Sequence, residues 1–174
     1  MRSPHGLLLA TAAAVGIGIA GTAVGTAAPP PPAPQDQQFL VAAHQGNLAE
    51  LASAPRAATM GSCTQVRDLG AMLVTDHARL EAMGAAVAIP NGIALPGDPN
   101  PDQIQQLTSV GRQTGHDFDL AWLRMQEEFH TQTMQAVVGE QANGSAPQVT
   151  AVADAAAPIV EHHLALIRDA LAVC

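Results

Sequence analysis

The chain carries two cysteines, Cys63 and Cys174, and their places in its helical pattern restrict the fold more than any other feature. Apolar residues recurring at helical spacing mark four long helices. Asp36 reads as the N-cap of the first, which carries Phe39, Leu40, Ala43, Leu48 and Leu51 and is expected to end or kink at Pro55. The second covers about residues 63–87, with Val66, Leu69, Leu73, His77, Leu80, Gly84 and Val87 on one face. The third covers residues 117–138, with Phe118, Met125, Phe129, His130, Met134 and Val137 inward. The fourth runs from Pro147 to the C-terminus with a stripe through Val149, Val152, Ala156, Ile159, His163, Ile167 and Ala170, and is expected to bend at Pro158. Residues 89–101 hold four prolines and two glycines and must be a long connection. A short helical turn is expected over residues 102–110. No segment alternates as a strand does, so the fold class is all-α, a four-helix bundle.

Cys63 therefore opens the second helix and Cys174 closes the fourth. One structural disulfide is the default for a lone pair of cysteines in an exported chain. In an up-down-up-down bundle the two lie at opposite ends, beyond the roughly 5–6 Å Cα separation that a disulfide needs. If the long link instead crosses the length of the bundle, the second and third helices run parallel and both cysteines reach one end. A helix of about 25 residues is roughly 37 Å long, and the 13–15 linker residues span about 43–54 Å when extended. One such crossover is the ferritin-like connectivity. Pairing between two chains is the alternative.

Export is itself read from the N-terminus. Met1 and Arg2 precede an apolar stretch over residues 7–20 and small residues over 21–28, the order of a secretory signal peptide, expected to be removed near Ala27 or Ala28. Residues 29–35 are a proline-rich spacer, and residues 36–174 are the folded domain. No cysteine is placed to accept a lipid and no twin arginine is present, so the mature chain is expected in the periplasm or outside the cell, without stable membrane insertion. That mature part holds six arginines, no lysine and fifteen acidic residues, a formal charge of −9. Such a charge repels phosphate backbones and excludes a nucleic-acid partner.

The chemistry-bearing residues are few. His77, His130 and His163 fall on the inward stripes of three different helices, where their imidazoles can converge. Glu127 and His130 form a Glu-x-x-His motif on the third helix, His77 and Glu81 are one turn apart on the second, and the first offers Glu50. Met72-Leu73-Val74-Thr75-Asp76-His77, Phe118-Asp119 with His130 eleven residues on, Pro158 with His163-Leu164, and Glu50 twenty-six residues before Asp76 together make an ordered set. That set resembles the bacterial exported family described as domain of unknown function 4142, over about residues 38–171. The resemblance implies a ferritin-like fold and leaves the biochemical role open. Two positions depart from the family's pattern: Trp122 stands where tyrosine is usual, and Pro55 falls in a region usually helical.

Di-metal sites in ferritin-like bundles use two Glu-x-x-His motifs and two further glutamates. Only one such motif is present here, which argues against a carboxylate-rich di-iron oxidase. Imidazoles with a carboxylate suit copper or zinc better than iron. The expected ligands are His77, His130 and His163, with Glu50, Glu81 and Glu127 as candidate carboxylates and Asp119 as a group that orients an imidazole. The bland reading is that the histidines are buried polar groups that bond to Glu50, Glu81 or Asp119 and fix the helices. His44 and His116 are expected near element ends in solvent, and Asp76 in a surface pair with Arg79 or Arg124. No nucleophile elbow, phosphate-cradling loop or Cys-x-x-Cys occurs. The function expected is metal binding or an envelope stress response, with a metal-dependent oxidoreductase or a purely structural or protein-interaction module as alternatives.

Overall fold

The protein's structure, a computed structural model, describes residues 31–174, and the expected leader over residues 1–28 lies outside them. Among the described residues there are five α-helices, one 3-10 turn and no strand. The elements are α1 (Pro34–Met60), α2 (Thr64–Ala88), the 3-10 turn (Ile89–Asn91), α3 (Pro101–Gly111), α4 (Gly115–Asn143) and α5 (Pro147–Val173).

Two expectations about α1 are corrected. Its N-cap is Ala33, with Pro34 in the first turn, where a missing N–H costs nothing. Asp36 is the third helical residue and accepts from the Ala33 amide at 2.6 Å. Nor does Pro55 end the helix, which continues to Met60. Pro55 is exposed, so the interrupted turn is on the side of the helix away from the core. The segment expected as a short turn is an eleven-residue helix, α3. Asn100 caps it by accepting from the Gln103 amide while the Gln103 side chain accepts from the Asn100 amide, both at 2.9 Å. Arg56 of α1 closes its far end by donating to the Gly111 and Gln113 carbonyls at 2.6 and 2.7 Å.

Helices α1 and α2 pack very closely, and the sequence reason is Gly70. A Cβ there would lie 2.5 Å from the Ala58 nitrogen and 2.9 Å from the Ala54 carbonyl oxygen. Ala54 and Ala57 supply the facing small residues, both fully buried.

The element ends are tied by one covalent bond and two buried aspartates. Cys63 and Cys174 form a disulfide with a Cα–Cα distance of 5.9 Å. Asp119, near the start of α4, accepts from the Ser62 and Cys63 amides at 3.1 and 2.7 Å, at the start of α2. Asp36, near the start of α1, accepts from the Ser145 and Ala146 amides at 2.8 and 3.2 Å, at the start of α5. Each carboxylate sits where a helix N-terminus presents unsatisfied N–H groups and a positive dipole end.

Two apolar clusters fill the interior. One, toward the disulfide, includes Leu69, Leu73, Trp122, Phe129 and Ile167. The other includes Phe39, Leu40, Leu80, Val137, Val149 and Ala156. Between them along the chain lies a belt of buried polar residues: Asn47, Glu50, His77, Gln126, His130 and His163.

Candidate metal centre

Each helix carries its polar residues into the interior because they replace an apolar residue in its inward stripe. On α2, His77 stands between Leu73 and Leu80, four and three residues away, and is 4 % exposed. His130 follows Phe129 on α4, and His163 stands four residues before Ile167 on α5. They are 1 % and 0 % exposed.

The three rings meet. The Nε2 atoms of His77 and His130 are 3.4 Å apart, and His130 Nε2 is 3.2 Å from His163 Nδ1. One nitrogen from each ring lies within 4.8 Å of the other two.

The outer nitrogen of each ring is engaged by an oxygen. His130 Nδ1 lies 2.9 Å from the Gln126 carbonyl, which can only accept, so Nδ1 carries the proton. His163 Nε2 lies 2.9 Å from Asp76 Oδ2, again an acceptor. His77 Nδ1 lies 3.0 Å from Asn47 Oδ1. The amide orientation of Asn47 is consistent, since its Nδ2 donates to Glu81 Oε2 at 3.4 Å. A neutral imidazole has one N–H and one lone pair. With all three protons directed outward, three lone pairs face one another in a buried space. Burial also keeps the rings neutral: it holds the His77 pKa well below its usual value, the neighbouring imidazoles adding to the effect, and lowers His130 to about 3. His163 is lowered by burial too, with Asp76 opposing.

The expected carboxylates fare differently. Glu50 is 2 % exposed, with Oε1 3.7 Å from His130 Nδ1 and Oε2 without a hydrogen-bond partner. Burial pushes its pKa up to about 8, against a hydrogen bond from Gln126. Glu81 lies 2.7 Å from His44 and reaches His77 only through Asn47. Glu127 is turned away from the rings and pairs with Arg168 at 3.0 Å, so the Glu-x-x-His spacing does not bring its two side chains together. The inward place beside it belongs to Gln126, which is fully buried. Asp119 uses both oxygens on the start of α2. Eleven residues put it about 16 Å along the helix from His130, too far to orient that ring.

Three side chains were misjudged or passed over in the sequence. Asp76 is not in a surface pair with Arg79 or Arg124, because the step of about 100° from His77 aims it at α5 and His163. His44 is not at an element end: it lies mid-α1 and joins Glu81 to the Pro96 carbonyl, 2.7 Å from each. Asn47 gave no signal, since an Asn on an inward stripe is indistinguishable from a tolerated polar residue. Asp76 was legible in part, being adjacent to His77 in the quoted motif. Trp122, which stands where tyrosine is usual, is fully buried and donates from Nε1 to Ser53 at 3.3 Å.

A family model described as Domain of unknown function (DUF4142) matches residues 21–170. No curated protein and no solved structure matches the chain.

Proposed function

We propose, for a chain that belongs to the DUF4142 family, that it binds one zinc or copper ion through His77, His130 and His163. The observation that carries this reading is an oxygen acceptor at the outer nitrogen of every ring, which draws the three protons outward and leaves the inner lone pairs free. Three lone pairs facing one another repel, and a cation at their centre relieves that repulsion. Metal–imidazole bonds of about 2.0–2.1 Å in tetrahedral geometry set neighbouring ligand nitrogens about 3.3–3.4 Å apart, close to the 3.4 and 3.2 Å that separate His130 from its two neighbours, with all three nitrogens within 4.8 Å of one another. Three nitrogen donors suit zinc or copper, whereas iron in such bundles is held mainly by carboxylates.

The roles of the chain's own residues follow. Asp76, Asn47 and the Gln126 carbonyl fix each ring's tautomer and orientation, as groups behind metal-bound histidines commonly do. The apolar clusters on either side bury the three rings. Glu50, beside His130, supplies a buried carboxyl near the ion's positive charge. The reading sits within a ferritin-like four-helix bundle in which the segment from Ile89 to Thr114 crosses from one end to the other. Support for that connectivity comes from the Cys63–Cys174 bond, from Asp119 at the start of α2 and from Asp36 at the start of α5. An exported location is supported by the disulfide, and among the described residues no helix is long and apolar enough to cross a membrane.

The test is metal content. The chain, purified without a histidine tag and stripped with a chelator, is offered zinc, copper, iron and manganese in turn and desalted. The expected result is one zinc or copper per chain, lost in His130→Ala while the helical signal persists. Retention of no metal by the folded chain would leave the histidines as packing groups and sink the proposal.

A further inference from the structure

A cavity of about 140 Å³ lies beside the histidines, and it has the properties of a ligand chamber. Glu50, His77, Phe39, Phe129, Val152 and Val160 are among its walls. The lining is mainly apolar, which disfavours a charged occupant. Among its polar walls, which include Asn47, His77, Glu81 and Thr133, Glu50 stands apart: it is 2 % exposed and its Oε2 has no hydrogen-bond partner. A buried oxygen left unpaired is costly, and a bound polar group relieves the cost.

The cavity is also bordered by glycine where glycine is not needed. Gly46 and Gly84 line it from α1 and α2, each inside a helix, where alanine is the better helix former. A Cβ at Gly84 would meet nothing within 4 Å, and one at Gly46 only the Thr133 hydroxyl at 3.8 Å. Neither backbone requires glycine, since neither has a positive φ. Side chains there would occupy space that is kept open. Gly70, in the same helix as Gly84, shows the contrast, because packing demands it.

We infer that this cavity binds a small uncharged molecule with a benzene-sized apolar body and one hydroxyl, a phenol-type ligand, the hydroxyl bonded to Glu50 and the body among the apolar walls. The size follows from volume, because an apolar protein cavity of about 150 Å³ accommodates benzene. The hydroxyl follows from Glu50, because a hydroxyl both donates and accepts and so serves that oxygen whether or not it is protonated. The inference stands on the cavity and not on the metal reading, so it is tested on metal-free chain.

The experiment is calorimetric titration of the metal-free chain with phenol and with toluene, which share size and differ in the hydroxyl. One phenol per chain is expected, bound about tenfold more tightly than toluene. Glu50→Met should bring the two affinities together. Gly84→Leu, which places a side chain in the cavity, should abolish binding of both, with Gly84→Met as the substitute if the leucine variant does not fold. Absence of saturable phenol binding would overturn the inference, as would equal affinity for the two probes in the unaltered chain. Binding that survives at either residue-84 variant would place the ligand elsewhere and overturn it as well.

Discussion

A buried histidine offers two nitrogens, and which one faces inward is set by what the other touches. Asp76 makes that choice for His163 through the 2.9 Å contact at Nε2. In Asp76→Asn the amide nitrogen can donate to Nε2 instead, which moves the ring proton to Nδ1 and blocks the inward lone pair. Metal affinity should fall about 10–100-fold, with little change in the melting temperature of the metal-free chain. Competition against a chelating dye would measure the affinity, and an unchanged value would show that Asp76 does not govern the tautomer. The imidazoles themselves were legible in the sequence because each interrupts an apolar stripe. Asn47 was not, and neither was the failure of Glu127 to face inward: spacing gives the helix face to within a residue, and only packing decides which of Gln126 and Glu127 is inside.

At the scale of the helix, two glycines of α2 make opposite predictions. Gly70→Ala forces a Cβ against the backbone of α1 at Ala54 and Ala58, and the helices must separate; destabilisation of about 2 kcal/mol or more is expected. Gly84→Ala meets no neighbour and should stabilise by about 0.5–1 kcal/mol through helix propensity. Urea denaturation of the two variants would settle the matter, and equal signs would contradict the packing described. The extents of α2 and α5 were readable from periodicity, proline and glycine, whereas α4 continues past its expected end at Val138 to Asn143. The course of α1 through Pro55 was not readable, because a helix continues past a proline when packing on either side outweighs the lost hydrogen bond and ring clash, and that depends on the neighbours.

For the molecule as a whole, the disulfide closes a loop with a sequence separation of 111 residues. Removing so long a cross-link, as in Cys63→Ser with Cys174→Ser, should cost about 5 kcal/mol by the chain-entropy argument, seen as a lower melting temperature with the metal site still able to form below it. Stability should also depend on pH with a maximum in mildly acidic solution. The three histidines have lowered pKa values in the folded chain, so the unfolded chain takes up protons first and stability falls as pH drops below about 6.5. Glu50 and Glu140 are raised to about 8 and about 7; Glu140 is raised by burial and by its neighbour Asp36. The folded chain holds these protons more tightly, so stability falls as pH rises from about 4.5 through 7 to 8. Between about 4.5 and 6.5 the effects oppose. The metal-free chain should therefore be more stable at pH 5.5 than at pH 4 or pH 8 by equilibrium denaturation, and greatest stability at pH 8 would refute this balance.

The sequence by itself determined the helical class, the approximate span of four long helices and the three inward histidines, because each of these depends on local periodicity or on composition, whereas the pairing of Cys63 with Cys174 within one chain was left to the tertiary structure. The tertiary structure decided what surrounds those residues. Ring tautomers, the partnership of Asp76 with α5, the use of Asp119 and Asp36 to cap the helices of other hairpins, and the cavity beside Glu50 are all contacts between helices distant in the chain. Such contacts are fixed by how side chains of different size fit across an interface, and no spacing within one helix encodes that.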